Sequence, residues 1–246
     1  MLTLLKVTLA ALLKFTYITI FESRKIKKMS SEKAPLEARK VLREHLCRGL
    51  IKAAKIDLEV VYLDEKAYRK LKREDGIVVV ANHESNLDIP VLVVALDLPL
   101  GFVAKKEMEN WPFYSMWMKM SKCIFLDRSN PREGIKSIKK AVGIVKQGYP
   151  TVIFPEGERT LTGNMGTFKK GSFKLATETD GIILPVTIDG TFFVQNRKNI
   201  RINPNQKVRV TVGKPIDLKK MYLENNKNLS EIVQELVANQ KIAKNN

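Results

Sequence analysis

The sequence predicts an α/β domain with a largely parallel central sheet flanked by helices, preceded by an N-terminal hairpin of two helices. Three observations lead there. From Asp57 on, short β-branched runs alternate with segments of helical period, as in strand–helix–strand units. Ahead of them, residues 1–21 form an almost unbroken apolar stretch that runs into a basic one. The 246 residues suffice for one substantial core, with no internal repeat or low-complexity linker to divide it. The one boundary falls near residue 56, between a helical segment (1–56) and an α/β body (57–246).

The first element is MLTLLKVTLAALLKFTYITIF, with fifteen apolar residues, four threonines, and only Lys6 and Lys14 charged. As a helix it is about 31 Å long at a rise of roughly 1.5 Å per residue. Arg24, Lys25, Lys27 and Lys28 follow at once. A cleaved signal peptide carries its charge before the apolar run and ends in small residues; here the charge comes after and the run ends Ile-Phe-Glu. A spanning helix has the length, but two internal lysines oppose deep burial. A helix lying in one leaflet, its lysines snorkelling to the headgroups, fits best. The second helix opens near Ser30 or Ser31 with Pro35 in its first turn, and repeats Leu42, Leu46 and Leu50. Its other face is basic through Arg39, Lys40, Arg43, Arg48 and Lys52. Alone it reads equally as a solvated surface helix. Beside the first helix it suggests a membrane-docking hairpin on an anionic bilayer, at about 1 kcal/mol per basic side chain.

Strands are expected at Leu58–Leu63, Ile77–Ala81, Gly101–Ala104, Cys123–Leu126, Thr151–Phe154, Ile183–Ile188 and Val208–Val212. Helices are expected at roughly Ile89–Leu96, Trp111–Met120, Arg132–Lys146, Lys170–Glu178 and Leu229–Lys241. Met116, Met118 and Met120 either pack a core or line a tunnel for a flexible apolar ligand, core packing being the more ordinary use.

Composition narrows the function. Hydrophobic residues make up 44%, too many for a disordered basic tail. Cys47 and Cys123 are the only cysteines and form no CxxC or Cys/His cluster, so disulfide scaffolds and structural zinc are disfavoured. The net charge of +17 is uneven: +7 in residues 1–50, −2 in 51–100, +6 in 101–150, +1 in 151–200 and +5 in 201–246. The largest excess adjoins the most apolar segment, which favours a membrane surface over nucleic acid.

Two loops carry candidate chemistry. Asn82-His83-Glu84-Ser85-Asn86-Leu87-Asp88 follows the strand GIVVVA, where ligands of open α/β folds bind. Asp88 lies close enough in sequence to turn back on the His83 imidazole, and such a pair can take a proton from a hydroxyl. A structural histidine with Asp88 as a helix cap is the plainer alternative. Phe154-Pro155-Glu156-Gly157-Glu158-Arg159-Thr160 closes another strand; Gly157 lets backbone N–H groups approach an anion, and the Arg159 fork suits phosphate. The plainer reading here is a turn with internal ion pairs. Lys105, Arg128 and Lys169 stand at or near strand ends and could complete an anion pocket. No GxSxG, GxxxxGK[ST] or GxGxxG motif occurs and no Ser or Cys nucleophile stands out, so the nucleophile is expected to arrive as a substrate hydroxyl.

The ordered segments NHESNLD, FLDR, FPEGERT and LPVTI, over roughly residues 76–190, resemble the glycerolipid acyltransferases, specifically the bacterial 1-acylglycerol-3-phosphate acyltransferases. The resemblance implies acyl transfer from an acyl-carrier protein or coenzyme A thioester to the sn-2 hydroxyl of lysophosphatidic acid, with no metal and no bound cofactor. It implies His83 as general base and Asp88 as its orienting residue. Phe125 and Arg128 match the motif linked to the acceptor phosphate, and Glu156, Gly157 and Arg159 the third motif. Pro185 falls on the acyl-donor side, and Lys105 in a neighbourhood where the family often has a lysine. Glu158 departs from the small hydroxyl residue usual there, so it either points away or pairs with a cation; Thr160 replaces a commoner serine. The expected setting is the cytoplasmic face of the cell membrane, monotopic or peripheral. The alternatives are a related acyltransferase with another acceptor, such as glycerol 3-phosphate or a lyso-aminolipid, and a non-catalytic basic membrane-binding protein. Nucleic acid is not an expected partner.

Overall fold

The computed structural model describes residues 2–127, 130–199, 201–221 and 228–241. Its sheet contains β1 (Asp57–Tyr62), β2 (Ile77–Ala81), β3 (Gly101–Lys105), β4 (Ile124–Leu126), β5 (Thr151–Ile153), β6 (Ile182–Asp189), β7 (Lys207–Val212) and β8 (Ile216–Asp217). The order is β1-β7-β6-β2-β5-β3-β4, with β8 paired to β6. Pairing is parallel except where β6 meets β7 and β8, so the sheet is mixed and mostly parallel. All seven expected strands form, their ends moved by no more than one residue. The two-residue β8 carries too little pattern to be read in advance.

Every residue of β2 is buried, as befits a central strand covered on both faces. Alternation divides it: Val79 and Ala81 join a core with Val91, Leu92, Val208 and Val210, while Val78 and Val80 face Ala141, Val145, Leu175 and Val233. Pro185 sits inside β6 without breaking it. The β6–β7 ladder runs from Val186↔Val212, one residue beyond Pro185, so the missing N–H falls outside that ladder.

Helix ends follow local chemistry. The Asn130 side chain accepts from the N–H groups of Arg132 and Glu133, and Pro131 occupies the first turn of the Pro131–Lys146 helix. The helix expected from Trp111 begins instead at Tyr114, because Pro112 holds Trp111 extended and Phe113 takes a positive φ of 59°.

The N-terminal helix runs from Leu2 to Ile26 through a π-helical turn at Ile18–Glu22; a second runs from Lys33 to Ala54 through another at Leu42–Cys47. Leu4–Ile26 is long and apolar enough to cross a membrane by length and composition. Its outer stripe of Leu5, Leu9, Leu12, Leu13, Tyr17 and Phe21 is exposed, Leu5 by 63%. Its inner face is protein core, where Ile18 and Ile26 pack with Ala38, Val41, Leu46 and Trp117. Lys14 lies across Gly49 of the second helix, where any Cβ would meet its side chain at 2.5 Å.

The basic face of the second helix is not uniform. Lys40, Arg48 and Lys52 are exposed, but Arg39 is buried. Its guanidinium donates to the carbonyls of Ser121 (2.8 Å) and Pro99 and lies 5.2 Å from the Tyr149 ring. Burial lowers its pKa to about 10. Arg43 pairs with Asp97. Arg39 thus docks the helix into the body, while the Arg43–Asp97 pair joins the two at the surface. Arg39→Ala leaves two carbonyls without their donor and is expected to cost about 2 kcal/mol, read as a fall of roughly 4–8 °C in the unfolding midpoint. An unchanged midpoint would remove Arg39 from the docking role.

Candidate active site

The topology gathers the loops. β4, β3, β5, β2 and β6 are successive parallel neighbours, with Lys105↔Leu126, Phe102↔Val152, Val80↔Ile153 and Ala81↔Val186 in register. Their carboxyl ends therefore open on one edge, and Asn82–Asp88, Phe154–Thr160, Lys105, Asp127 and Gly190–Thr191 all leave from it.

The backbone turns after Ala81, and Asp88 opens the helix Asp88–Ala95. Its carboxylate folds back so that Oδ2 lies 2.7 Å from His83 Nδ1. The same oxygen accepts the N–H groups of Glu84 (2.6 Å) and Ser85 (2.9 Å), while Oδ1 accepts the Thr191 hydroxyl. Asp88 is fully buried and the His83 side chain is 17% exposed. Nδ1 is thus committed to Asp88, leaving Nε2 for a substrate. The imidazole stacks on Phe154 with centroids 4.0 Å apart and planes 13° off parallel.

Glu156 ties the two loops together. Its Oε1 accepts the His83 N–H and its Oε2 the Gly166 N–H, both at 2.6 Å, and the Thr160 N–H donates to the His83 carbonyl at 2.9 Å. Burial raises the Glu156 pKa, against which the N–H donors of Gly166 and His83 pull it down. Gly157 has φ of 81°, the left-handed conformation that favours glycine, as this loop turns.

The cations differ. Arg159 is half-buried and has no carboxylate partner among the described residues. Lys105 is exposed, and both it and Lys169 contribute to lowering the Glu158 pKa after the dominant hydrogen bond from Arg197. Glu158 is exposed and pairs with Arg197 at 2.6 Å, which resolves its expected alternatives in favour of a cation partner. Neighbouring Lys106 pairs with Asp127 at 3.1 Å. Phe125 is half-buried in β4 opposite Ala104, Pro185 is buried in β6, and Arg128 lies outside the described residues.

Neither cysteine is placed as a nucleophile. Burial pushes the Cys47 thiol up to about 12 and also raises Cys123. The Ser85 hydroxyl accepts the Leu87 N–H and is buried. Met116 and Met120 pack toward the Ile18–Trp117 cluster, and Trp117 Nε1 donates to Thr19 Oγ1 at 3.0 Å. Among the described residues no group of His, Cys, Asp and Glu side chains is arranged to hold a metal ion. A cavity of about 600 Å³ lined by Glu74, Asp75, Asp180 and Asp217 lies by the amino ends of β2 and β6, away from His83.

Three participants escape a reading of the sequence. Glu84 lies within the first loop but carries no period or spacing that marks it. Thr191 and Lys241 are 103 and 157 residues from their partners in that loop, and only folding brings them in.

The acyltransferase family model matches residues 62–189. A probable 1-acyl-sn-glycerol-3-phosphate acyltransferase of Mycoplasma genitalium is 30% identical over 192 residues, covering 74% of this chain and 70% of that protein. Its counterpart in Mycoplasma pneumoniae is 36% identical over 132 residues, 51% of this chain and about half, 49%, of the relative. The crystal structure of the 1-acyl-sn-glycerophosphate (LPA) acyltransferase PlsC from Thermotoga maritima superposes with a TM-score of 0.81 at 25% identity, covering 97% of this chain and 92% of that one.

Proposed function

The chain belongs to the acyltransferase family, and from that premise we propose that it transfers a fatty acyl group from a thioester to the sn-2 hydroxyl of lysophosphatidic acid, giving phosphatidic acid and a free thiol. The observation that carries the chemistry is the 2.7 Å contact between His83 Nδ1 and buried Asp88, with the imidazole at the rim of the sheet's carboxyl edge. His83 Nε2 takes the proton of the acceptor hydroxyl as its oxygen attacks the thioester carbonyl; the C–S bond then breaks, and the imidazolium returns the proton to the departing thiolate. No acyl-enzyme forms. Asp88 fixes the tautomer and steadies the imidazolium. Glu156 and Gly157 shape the loop that supports His83, Arg159, Arg128 and Lys105 meet the acceptor phosphate, and Phe125 and Pro185 serve the acceptor and donor sides. The donor is an acyl-carrier protein or coenzyme A thioester.

Residues 1–56 serve as the membrane-association segment and 57–246 as the acyltransferase domain, docked on the cytoplasmic face of an anionic bilayer. The exposed stripe Leu5–Phe21 supports this, as do exposed Arg24, Lys25, Lys27 and Lys28 beside it.

The deciding experiment measures thiol release from an acyl thioester in detergent or vesicles, with and without lysophosphatidic acid. Acceptor-dependent release is expected. Salt-sensitive membrane adhesion without release would mark a non-catalytic basic protein, and faster release with glycerol 3-phosphate or a lyso-aminolipid would reassign the acceptor. In the same assay Arg159→Ala should raise the acceptor KM about tenfold, the loss of one phosphate contact worth about 1.4 kcal/mol, with a smaller change in kcat. An unaltered KM would take Arg159 out of the phosphate site.

A further inference from the structure

The buried charged side chains among the described residues are Arg39, Glu84, Asp88 and Glu156. Arg39 belongs to the docked second helix, so the three carboxylates surround His83 without it. A buried carboxylate is strongly disfavoured unless it is hydrogen-bonded or paired. Asp88 and Glu156 are served by the backbone and by His83. Glu84 is different. Its Oε2 accepts the N–H groups of Gly190 (3.1 Å) and Phe192 (3.2 Å) and lies 3.3 Å from Thr191 Oγ1. Its Oε1 receives Lys241 Nζ at 2.6 Å, with 3% of the Glu84 side chain and 19% of the lysine exposed.

Lys241 comes from the segment after the Leu229–Ala238 helix, and its ammonium also donates to the Gly163 carbonyl at 3.1 Å. Thr187 Oγ1 donates to the Val237 carbonyl in the last turn of that helix (2.8 Å) and to the Gln240 side-chain oxygen just beyond it (3.1 Å). Thr191 has one hydroxyl proton and faces both Glu84 and Asp88, so the state of Glu84 bears directly on the carboxylate that orients His83.

We propose that Lys241 is a positioning residue for acyl transfer: by pairing with Glu84 it fixes the Gly190–Phe192 turn and the Thr191 hydroxyl, and through them the Asp88–His83 pair. The charges facing Glu84 are Lys241, which favours its ionised form, and Asp88, which opposes it; burial is the largest influence and raises its pKa. Lys241 also draws down the Glu156 pKa across the site. One ammonium therefore offsets carboxylates on both sides of the catalytic histidine. Gly190 suits this arrangement: with φ of 110° and any Cβ meeting the Lys207 carbonyl oxygen at 2.4 Å, the turn that offers its N–H to Glu84 admits no side chain.

The inference rests on the acyltransferase reading, and its test separates the two. Full-length wild type, Lys241→Met, Lys241→Arg and the double variant Glu84→Gln/Lys241→Met are compared by acceptor-dependent thiol release and by the downfield proton resonance of His83 Nδ1–H, which requires no substrate and is assigned against His83→Gln. Lys241→Met should lower kcat about tenfold with little change in acceptor KM and broaden the resonance. Lys241→Arg should keep most of both. The double variant, which removes the orphaned carboxylate charge, should recover at least threefold of the lost kcat and sharpen the resonance even if Lys241→Met alone folds poorly. Wild-type kcat and resonance in Lys241→Met, or a double variant no better than the single one, would overturn the positioning role. A wild type that releases no thiol would overturn the acyltransferase reading and leave the resonance to judge Lys241.

Discussion

Replacing His83 with Ala is expected to lower kcat by roughly 10³-fold while leaving the unfolding midpoint within a few degrees of wild type. General acid–base catalysis by a positioned side chain contributes about 10²–10⁴-fold, and in the proposed mechanism one imidazole both accepts the hydroxyl proton and returns it to the thiolate. The fold should tolerate the change because the hydrogen bonds of His83 that join the two loops are made by its backbone: its N–H donates to Glu156 and its carbonyl accepts from Thr160. What is lost is the ring stacked on Phe154 and one bond to Asp88. Steady-state thiol release at saturating acceptor, with thermal unfolding alongside, checks both parts. A kcat within tenfold of wild type would rule out His83 as the base.

Asp88→Asn should cost roughly 10²–10³-fold in kcat with a modest change in stability. With its side-chain carbonyl placed where Oδ2 now lies, Asn can still accept from the Glu84 and Ser85 N–H groups, but the negative charge facing the imidazolium is gone. The Asn NH₂ then faces Thr191 Oγ1, whose hydroxyl must turn to Glu84. Asp88→Ala is the contrasting variant: it leaves two buried N–H groups without an acceptor and should lose about 2–4 kcal/mol of stability as well as activity. If Asp88→Asn keeps kcat within threefold while Asp88→Ala unfolds, Asp88 is structural and its role toward His83 falls.

Much of the fold was legible because its signals are local. β-branched runs between helical periods mark β2, β5 and β6, and Asn130-Pro131 marks a helix start that the capping bonds realise. The five-residue spacing of His83 and Asp88 allowed their contact without requiring it, and the 2.7 Å approach realises it. The reversed direction of β7 was not legible, since VRVTV has the same alternation whichever way it runs. Nor was the fate of Arg39, one basic residue in a basic row, which differs from Lys40 only by facing Ser121 and Pro99. The Glu84–Lys241 pair lies beyond any pattern along the chain, because the two ends meet only once the sheet is built.

The N-terminal helix answers to two different surroundings along its length. Ile18 and Ile26 fit against Trp117 and the second helix, where shape and volume decide what is accepted. Leu5, Leu9, Leu12 and Leu13 are more than half exposed, and on the bilayer proposed above any residue that is greasy enough serves equally well. Substitutions along this helix should therefore be tolerated in alternation: free exchange among apolar types on one side, and near intolerance a few positions on. Deleting the helix would not yield a soluble body either. It would strip one wall from the Trp117 cluster and trade an oily exterior for an opened interior.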